Sequence, residues 1–404
     1  MKVLTGISRV LVGLLFIFSG FIKANDPIGF SYKLTEYYSI FGASFMQYQE
    51  VLQAVLICVA EIVLGICVLV GIRMRLTSWL LLGMIVFFTF LTGFTAVGNW
   101  FFENPEHGRT LWFAELLGFV PREIYYMKDC GCFGDAIKLT PWQSFYKDLF
   151  LSSLISIIFI RRAHIRPFFA KIMQTNLILL FTLASAAFSV YSWMYMPVIN
   201  YLYWDEGSDI RALTTEIPET KEMDFLYKNK TTGETTRFKM DELGNINTEE
   251  YEFVDRDDVV TDPGVPAKIH DFFVTNGHGE DITAQLLNED EYAIFVIAYD
   301  LSDVRIKSIR KFKEVIAPWQ EAGHKIYAFT NSEPQEFENF RHEHQLPFPF
   351  YQLDRTALKS VIRSNPGYVL MHQGIVVKRW SARNTPDLKD LDKTIAKFEK
   401  KNNK

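Results

Sequence analysis

Cysteine is scarce in this sequence and absent from its last two-thirds. Only four occur in 404 residues, Cys58, Cys67, Cys130 and Cys132. Thiol–disulfide exchange needs a thiolate nucleophile, so nothing after Cys132 can run it alone. An excess of positive charge is also missing. Lys and Arg number 42 against 47 Asp and Glu, leaving a net charge of -5, which argues against a nucleic-acid partner. No small-x-small cleavage site follows the first apolar run, so that run reads as a retained helix rather than a signal peptide. No internal repeat relates the apolar segments, which weakens the case for a transporter.

What is present is uneven. A mean hydropathy of +0.05 conceals a strongly apolar first half and a charged second half. Five stretches, roughly 3–22, 51–70, 76–98, 143–160 and 176–198, are long enough to cross a hydrocarbon core of about 30 Å. A shorter piece, Thr110 to Val120, reads as re-entrant or interfacial. Arg73 and Arg75 follow the second span. Arg161, Arg162, His164, Arg166 and Lys171 separate the fourth from the fifth. By the positive-inside bias these turns are cytoplasmic. The amino terminus is then cytoplasmic, and the carboxy-terminal half lies outside, in the periplasm of a bacterial inner membrane. Arg9 and Glu61 fall inside spans, where a charge needs a partner. They are expected to pair, either to fix the fold or to line a polar site for a proton or quinone headgroup. Gly6, Gly13 and Gly20 mark one face of the first helix for close packing. The aromatic stretch from Tyr32 to Met46 is expected at the outer surface.

The chemistry-bearing stretch is Asp129-Cys130-Gly131-Cys132-Phe133-Gly134-Asp135, in the outer loop between the third and fourth spans. Gly131 gives a small Cys-x-Cys ring the freedom it needs, and disulfides persist on that side of the membrane. Lys128 favours a thiolate while Asp129 and Asp135 oppose it. Three readings stand: a redox pair, a structural staple, or half of a soft-metal site with only His107 nearby as a further ligand. Cys58 and Cys67 read as buried packing residues.

Beyond residue 200 a strand-rich segment, 204–262, acts as linker or small subdomain. It holds a hairpin through Phe225–Tyr227 and Thr235–Phe238 and a strand at Tyr251–Val254. Residues 263–400 then alternate strand and helix. Phe272–Val274 is expected as a short strand and Ala293–Tyr299 as the buried centre of a sheet. A helix follows from Arg305, then strands at Lys325–Phe329, Tyr368–Met371 and Ile375–Trp380, with a terminal helix over 387–398.

This order, with Asn365-Pro366-Gly367 before a strand, resembles the thioredoxin fold, and Pro366 matches the site of that family's cis-proline. The family's Cys-x-x-Cys would stand near Tyr299-Asp300-Leu301-Ser302-Asp303-Val304-Arg305, where no cysteine occurs. The membrane half resembles the DoxX family through Arg9, Gly13, Phe16, Gly20 and Lys23, then Glu61-Ile-Val-Leu-Gly65 and Gly71. Cys130-Gly131-Cys132-Phe133-Gly134 with Thr140-Pro141 and Lys147-Asp148 is similar to MauE proteins over residues 1–160, and the fusion resembles DoxX-type proteins of Bacteroidetes. The resemblance implies a four-helix bundle (1–160), then a cytoplasmic loop with the fifth helix (161–203), and an α/β thioredoxin-like domain. It also implies thiol–disulfide or electron-relay chemistry through Cys130 and Cys132, with a quinone as candidate cofactor and a periplasmic thiol protein as partner. The alternative is a scaffold or complex subunit whose outer domain binds an envelope protein along an edge shaped by Asn365, Pro366 and Gly367.

Overall fold

The computed structural model describes residues 2–104, 127, 131, 133–276 and 279–402. Cys130, Cys132, His107, Lys128, Asp129 and the Thr110–Val120 piece lie outside the described residues. The described chain divides into two compact units. The first is Met1–Leu202 with Ile362–Gly367 and Trp380–Thr385. The second is Tyr203–Val361 with Tyr368–Arg379 and Pro386–Lys404.

In the first unit, α1 (Lys2–Asn25), α2 (Pro27–Ile40), α3 (Glu50–Val70), α4 (Met74–Glu103), α5 (Pro141–Arg161) and α6 (Lys171–Tyr195) form a bundle. All but α2 are long and apolar enough to cross a membrane. Boundaries follow local chemistry. Asp26 caps α2 by accepting from Gly29 N, with Pro27 at the first helical position. Thr140 and Gln143 form a reciprocal capping box ahead of α5. Gly71, at φ 80°, ends α3 in the left-handed conformation.

The bundle core joins α1, α3, α4 and α5 through Val12, Phe16, Val68, Leu81, Ile85 and Ile155. The outward faces are also apolar: Val3 and Ile160 are three-quarters exposed, as lipid-facing residues are. Small residues set the α1–α3 crossing. A Cβ on Gly65 would stand 2.8 Å from Gly13 O, and one on Gly20 2.8 Å from Ile62 Cγ1, while Gly6 meets open space. The close-packed face is therefore Gly13 and Gly20 without Gly6. α2 buries Phe30, Leu34 and Tyr37, with Phe30 and Leu34 packed on Ala54 and Cys58 of α3, while Phe45 beyond it is exposed.

The second unit carries two sheets. One is three-stranded, with β1 (Thr220–Asn229) between β2 (Thr235–Lys239) and β3 (Tyr251–Asp262). The other has five strands, β4 (Ala293–Ile297), β5 (Lys325–Thr330), β6 (Phe350–Gln352), β7 (Gly367–His372) and β8 (Ile375–Ser381), in the order β6-β5-β4-β7-β8. β4, β5 and β6 are parallel neighbours. Every residue of β4 is buried, as a central strand covered on both faces requires. Gln373 and Gly374, both at positive φ, make the β7–β8 turn. Around the sheet lie α9 (Ile306–Glu321), α10 (Pro334–His344), α11 (Arg355–Val361) and α12 (Leu388–Asn402), after short α7 (Ile210–Thr214) and α8 (Thr283–Leu287). α9 buries Ile309, Phe312, Val315, Ile316 and Trp319, a stripe at helical spacing. The order is that of a thioredoxin-like α/β fold.

One expectation changes here. Phe272–Val274 forms no strand; a bridge between Thr275 and Asp281 takes its place. The segment after Trp204 is pinned by backbone hydrogen bonds. Gly207 N donates to Val376 O at 2.7 Å and Val376 N to Ser208 O at 3.0 Å, so the chain runs along the β8 edge. Trp204 is buried against Phe272, an apolar anchor that the surrounding turn residues conceal in the sequence.

Candidate functional site

The first unit buries charge where its outer faces bury none. Lys23, in the last turn of α1, makes an ion pair with Glu61 of α3, and Ser19 Oγ donates to Glu61 Oε2 at 3.1 Å. Lys23 Nζ also stands 4.7 Å from the Phe88 ring centroid and 5.1 Å from that of Phe30. Cation–π contact and pairing together offset the desolvation of the ammonium. A second pair lies on α5: Lys147 Nζ is 3.0 Å from Asp148 Oδ1. Thr92 of α4 donates to Asp148 Oδ2 at 3.0 Å, and Lys147 Nζ sits 4.8 Å over Phe133.

Both pairs line one cleft, whose empty space is about 660 Å³ with the solvent at its mouth included. Its walls are otherwise apolar, with Leu15, Phe16, Phe88 and Leu151, and Tyr37 and Lys33 lie along it. Gly131 and Phe133 line it too, so the cysteine-bearing motif contributes two of its described residues to this cleft. Gly131 has φ 66° and approaches the Lys33 side chain so closely that a Cβ would stand 2.8 Å from Lys33 Cγ. Glycine is required there on both counts.

The Arg9–Glu61 pair expected from sequence is not formed. Arg9 donates to Val68 O and Leu69 O at 2.9 and 2.8 Å, and it does not line the cleft. The reason is helix register. Gly13 faces Gly65, so in antiparallel helices a residue four before Gly13 lies level with one four after Gly65, which is Leu69. Fourteen residues separate Arg9 from Lys23, about 21 Å of helix. Arg9 thus satisfies carbonyls at the end of α3, a favourable place for a cation. By the same register Glu61 lies level with Ile17, between Arg9 and Lys23, so its pairing with Lys23 is a finding of the structure.

Also in the first unit, Arg363 joins two carboxylates, with Nε 2.8 Å from Asp26 Oδ2 and Nη2 2.8 Å from Asp135 Oδ2. Burial lowers the pKa of the guanidinium, but Asp26 and Asp135 more than reverse this, and the net shift is upward. Asn365–Pro366 is a cis peptide. Ser364 Oγ donates to Pro366 O and accepts from Ala382 N, both at 2.8 Å. Gly367 packs on Ile362 with no room for a Cβ.

In the second unit, the position after the central strand holds no thiol. Asp300 Oδ1 accepts from Ser302 N at 3.1 Å and from Ser302 Oγ at 2.6 Å. Its other oxygen is 2.9 Å from Arg355 Nη2. Among the described residues no group of His, Cys, Asp and Glu could hold a metal ion. Cys58 and Cys67 are buried free thiols.

Residues 1–100 match the family described as methylamine utilisation protein MauE. No curated protein matches the chain. Solved structures similar to it include the following three. One is a candidate protein disulfide isomerase from Bacteroides thetaiotaomicron, with 16% identity, TM-score 0.25, and coverage of 32% of this chain and 84% of that one. StoA from Bacillus subtilis has 20% identity and TM-score 0.26, covering 32% and 99%. A candidate thioredoxin from Neisseria meningitidis has 13% identity and TM-score 0.25, covering 31% and 86%. The chain joins a DoxX/MauE-like membrane region to a distantly thioredoxin-like fold.

Proposed function

We propose that this protein is a non-enzymatic membrane subunit whose thioredoxin-like domain binds another envelope protein. The observation that carries the reading is the Asp300–Ser302–Arg355 cluster at the position where the thioredoxin family keeps its dithiol. A hydrogen-bonded carboxylate and a guanidinium can hold a loop rigid but cannot exchange a disulfide. The fold around them is complete, so binding is the capacity left to it. Asn365 is half-buried and Pro366 and Gly367 are buried, so these residues would support the binding edge from beneath rather than form its surface. The amino terminus would be cytoplasmic and the domain periplasmic, as the arginines at 73, 75, 161, 162 and 166 suggest.

Native gel electrophoresis of detergent-extracted membranes tests this. Cys130→Ser/Cys132→Ser should leave the size of the native complex unchanged, whereas a stop codon before residue 263 should collapse it. A complex lost with the two thiols would overturn the proposal.

A second reading has one observation in its favour. Gly131 and Phe133 share their cleft with both ion pairs, so a dithiol at Cys130 and Cys132 would be placed to pass electrons to a quinone held there. Glu61 would then line the polar site. Arg9 would support it only through the end of α3.

A further inference from the structure

The three-stranded sheet has no core. Of the 27 residues in β1, β2 and β3, only Asn229 is buried. A sheet of this size normally needs a covered apolar face. Its two faces differ sharply. The pairing Phe225↔Phe238, Tyr227↔Phe253 and Asn229↔Tyr251 puts these aromatic side chains together on one face. Tyr227 meets Phe238 and Phe253 edge-on, each with centroids 5.7 Å apart. Phe253 remains 53% exposed and Met223, on the same face, 40%. The opposite face carries Glu252, Asp255 and Asp257 of β3 with Asp224 of β1, and also Lys228, Arg237 and Lys239. Arg237 already pairs with Asp257 at 3.0 Å, which leaves Glu252 and Asp255 as the acids nearest the outer edge.

β3 is also an edge. It has a strand neighbour on one side only among the described residues, and its 12 residues extend well past the five of β2. An edge this long presents unpaired backbone groups to any extended chain of matching chemistry. Over Tyr251–Asp262 the sequence has five acids and one arginine, so -5 + 1 gives -4. A second copy of the chain pairing here would set those charges against each other, which opposes β3–β3 association.

We propose that the outer edge of β3 is a docking site for an extended segment of a partner protein in which Lys or Arg alternates with apolar residues. Its apolar side chains extend the aromatic face. Its cations stand opposite Glu252 and Asp255, which the register shift in β3 sets three residues apart, so the docked strand follows that bulge. The existence of a partner rests on the scaffold reading above; the surface and its chemistry do not.

The test uses the full chain in phosphatidylcholine nanodiscs with a synthetic twelve-residue peptide alternating Lys and Val. Binding is read by fluorescence anisotropy and location by amide hydrogen exchange. The Lys/Val peptide should slow exchange across 251–262, and a Glu/Val peptide should not. Glu252→Lys/Asp255→Lys should weaken Lys/Val binding about ten-fold, the size of a few surface pairs. The peptide swap needs no variant, so a misfolded double mutant would not obscure the answer. Equal binding of both peptides, or unchanged exchange over 251–262, would overturn the site. Protection at 362–367 instead would move docking to the proline edge and leave the scaffold reading standing. Protection of 251–262 by protein concentration alone would assign the edge to a second copy and overturn the basic partner.

Discussion

The two large regions of this molecule solve opposite solvation problems with the same residue types. In the α/β domain, Ala293–Ile297 is wholly buried while α9 and α12 turn their charges outward. In the bundle, Val3, Leu14 and Ile160 face outward, while Lys23, Glu61 and Asp148 are almost fully enclosed. Burial in water follows the apolar residue; burial in lipid follows the paired charge. The three-stranded sheet fits neither rule, since it encloses neither its aromatics nor its charges. The docking proposed at β3 would remove that mismatch.

The contrast can be broken most forcefully at Glu61. Glu61→Ala leaves the Lys23 ammonium enclosed without its carboxylate and should destabilise the bundle by about 3–5 kcal/mol, the range for removing one partner of a buried pair. Thermal unfolding in detergent reads this, and Lys23→Met in the same chain should restore most of the loss. A Glu61→Ala protein of unchanged stability would mean that the pair is not enclosed in the membrane.

Next comes a comparison within the second unit. Phe295→Ala, at a fully buried position in β4, should cost about 3–5 kcal/mol. Phe253→Ala, at a half-exposed position in β3, should stay within about 1 kcal/mol in the absence of a partner. Chemical denaturation of both variants checks the pair. A comparable loss for Phe253 would show that the sheet already has a covered core.

The smallest effect concerns alkaline pH. Burial, reinforced by Glu399, pushes the Tyr292 phenol up to about 12. The raised value means that its contribution to stability is complete below the ordinary phenol pKa of about 10 and is lost as pH rises through 12. Tyr292→Phe should therefore flatten the stability profile between these limits and leave it unaltered near neutrality. A profile that keeps its full slope would rule out Tyr292 as the group responsible.

Much of the fold was legible because its signals are local. The five apolar helices announce themselves by length. The β4 run states its burial by being continuously apolar, and the helix expected from Arg305 is α9. The buried ion pair was not legible by composition, because Arg9 and Lys23 are both cations on one helix and Glu61 lies level with Ile17 between them. Arg363 was harder still, since Asp26 and Asp135 lie hundreds of residues away in sequence and no periodic pattern links them. Trp204 was hidden for a related reason: its partner, Phe272, belongs to a segment whose irregular backbone carries no repeat.

If binding rather than thiol exchange is this chain's work, Cys130 and Cys132 need not cycle. Acid-quenched thiol trapping in intact cells, read by mass spectrometry with and without respiratory electron flow, reports their redox state. The account predicts a pair held in one state under both conditions. A mixed population that shifts with electron flow would contradict it and make the cleft lined by Gly131, Lys23 and Glu61 the place to look for an electron acceptor.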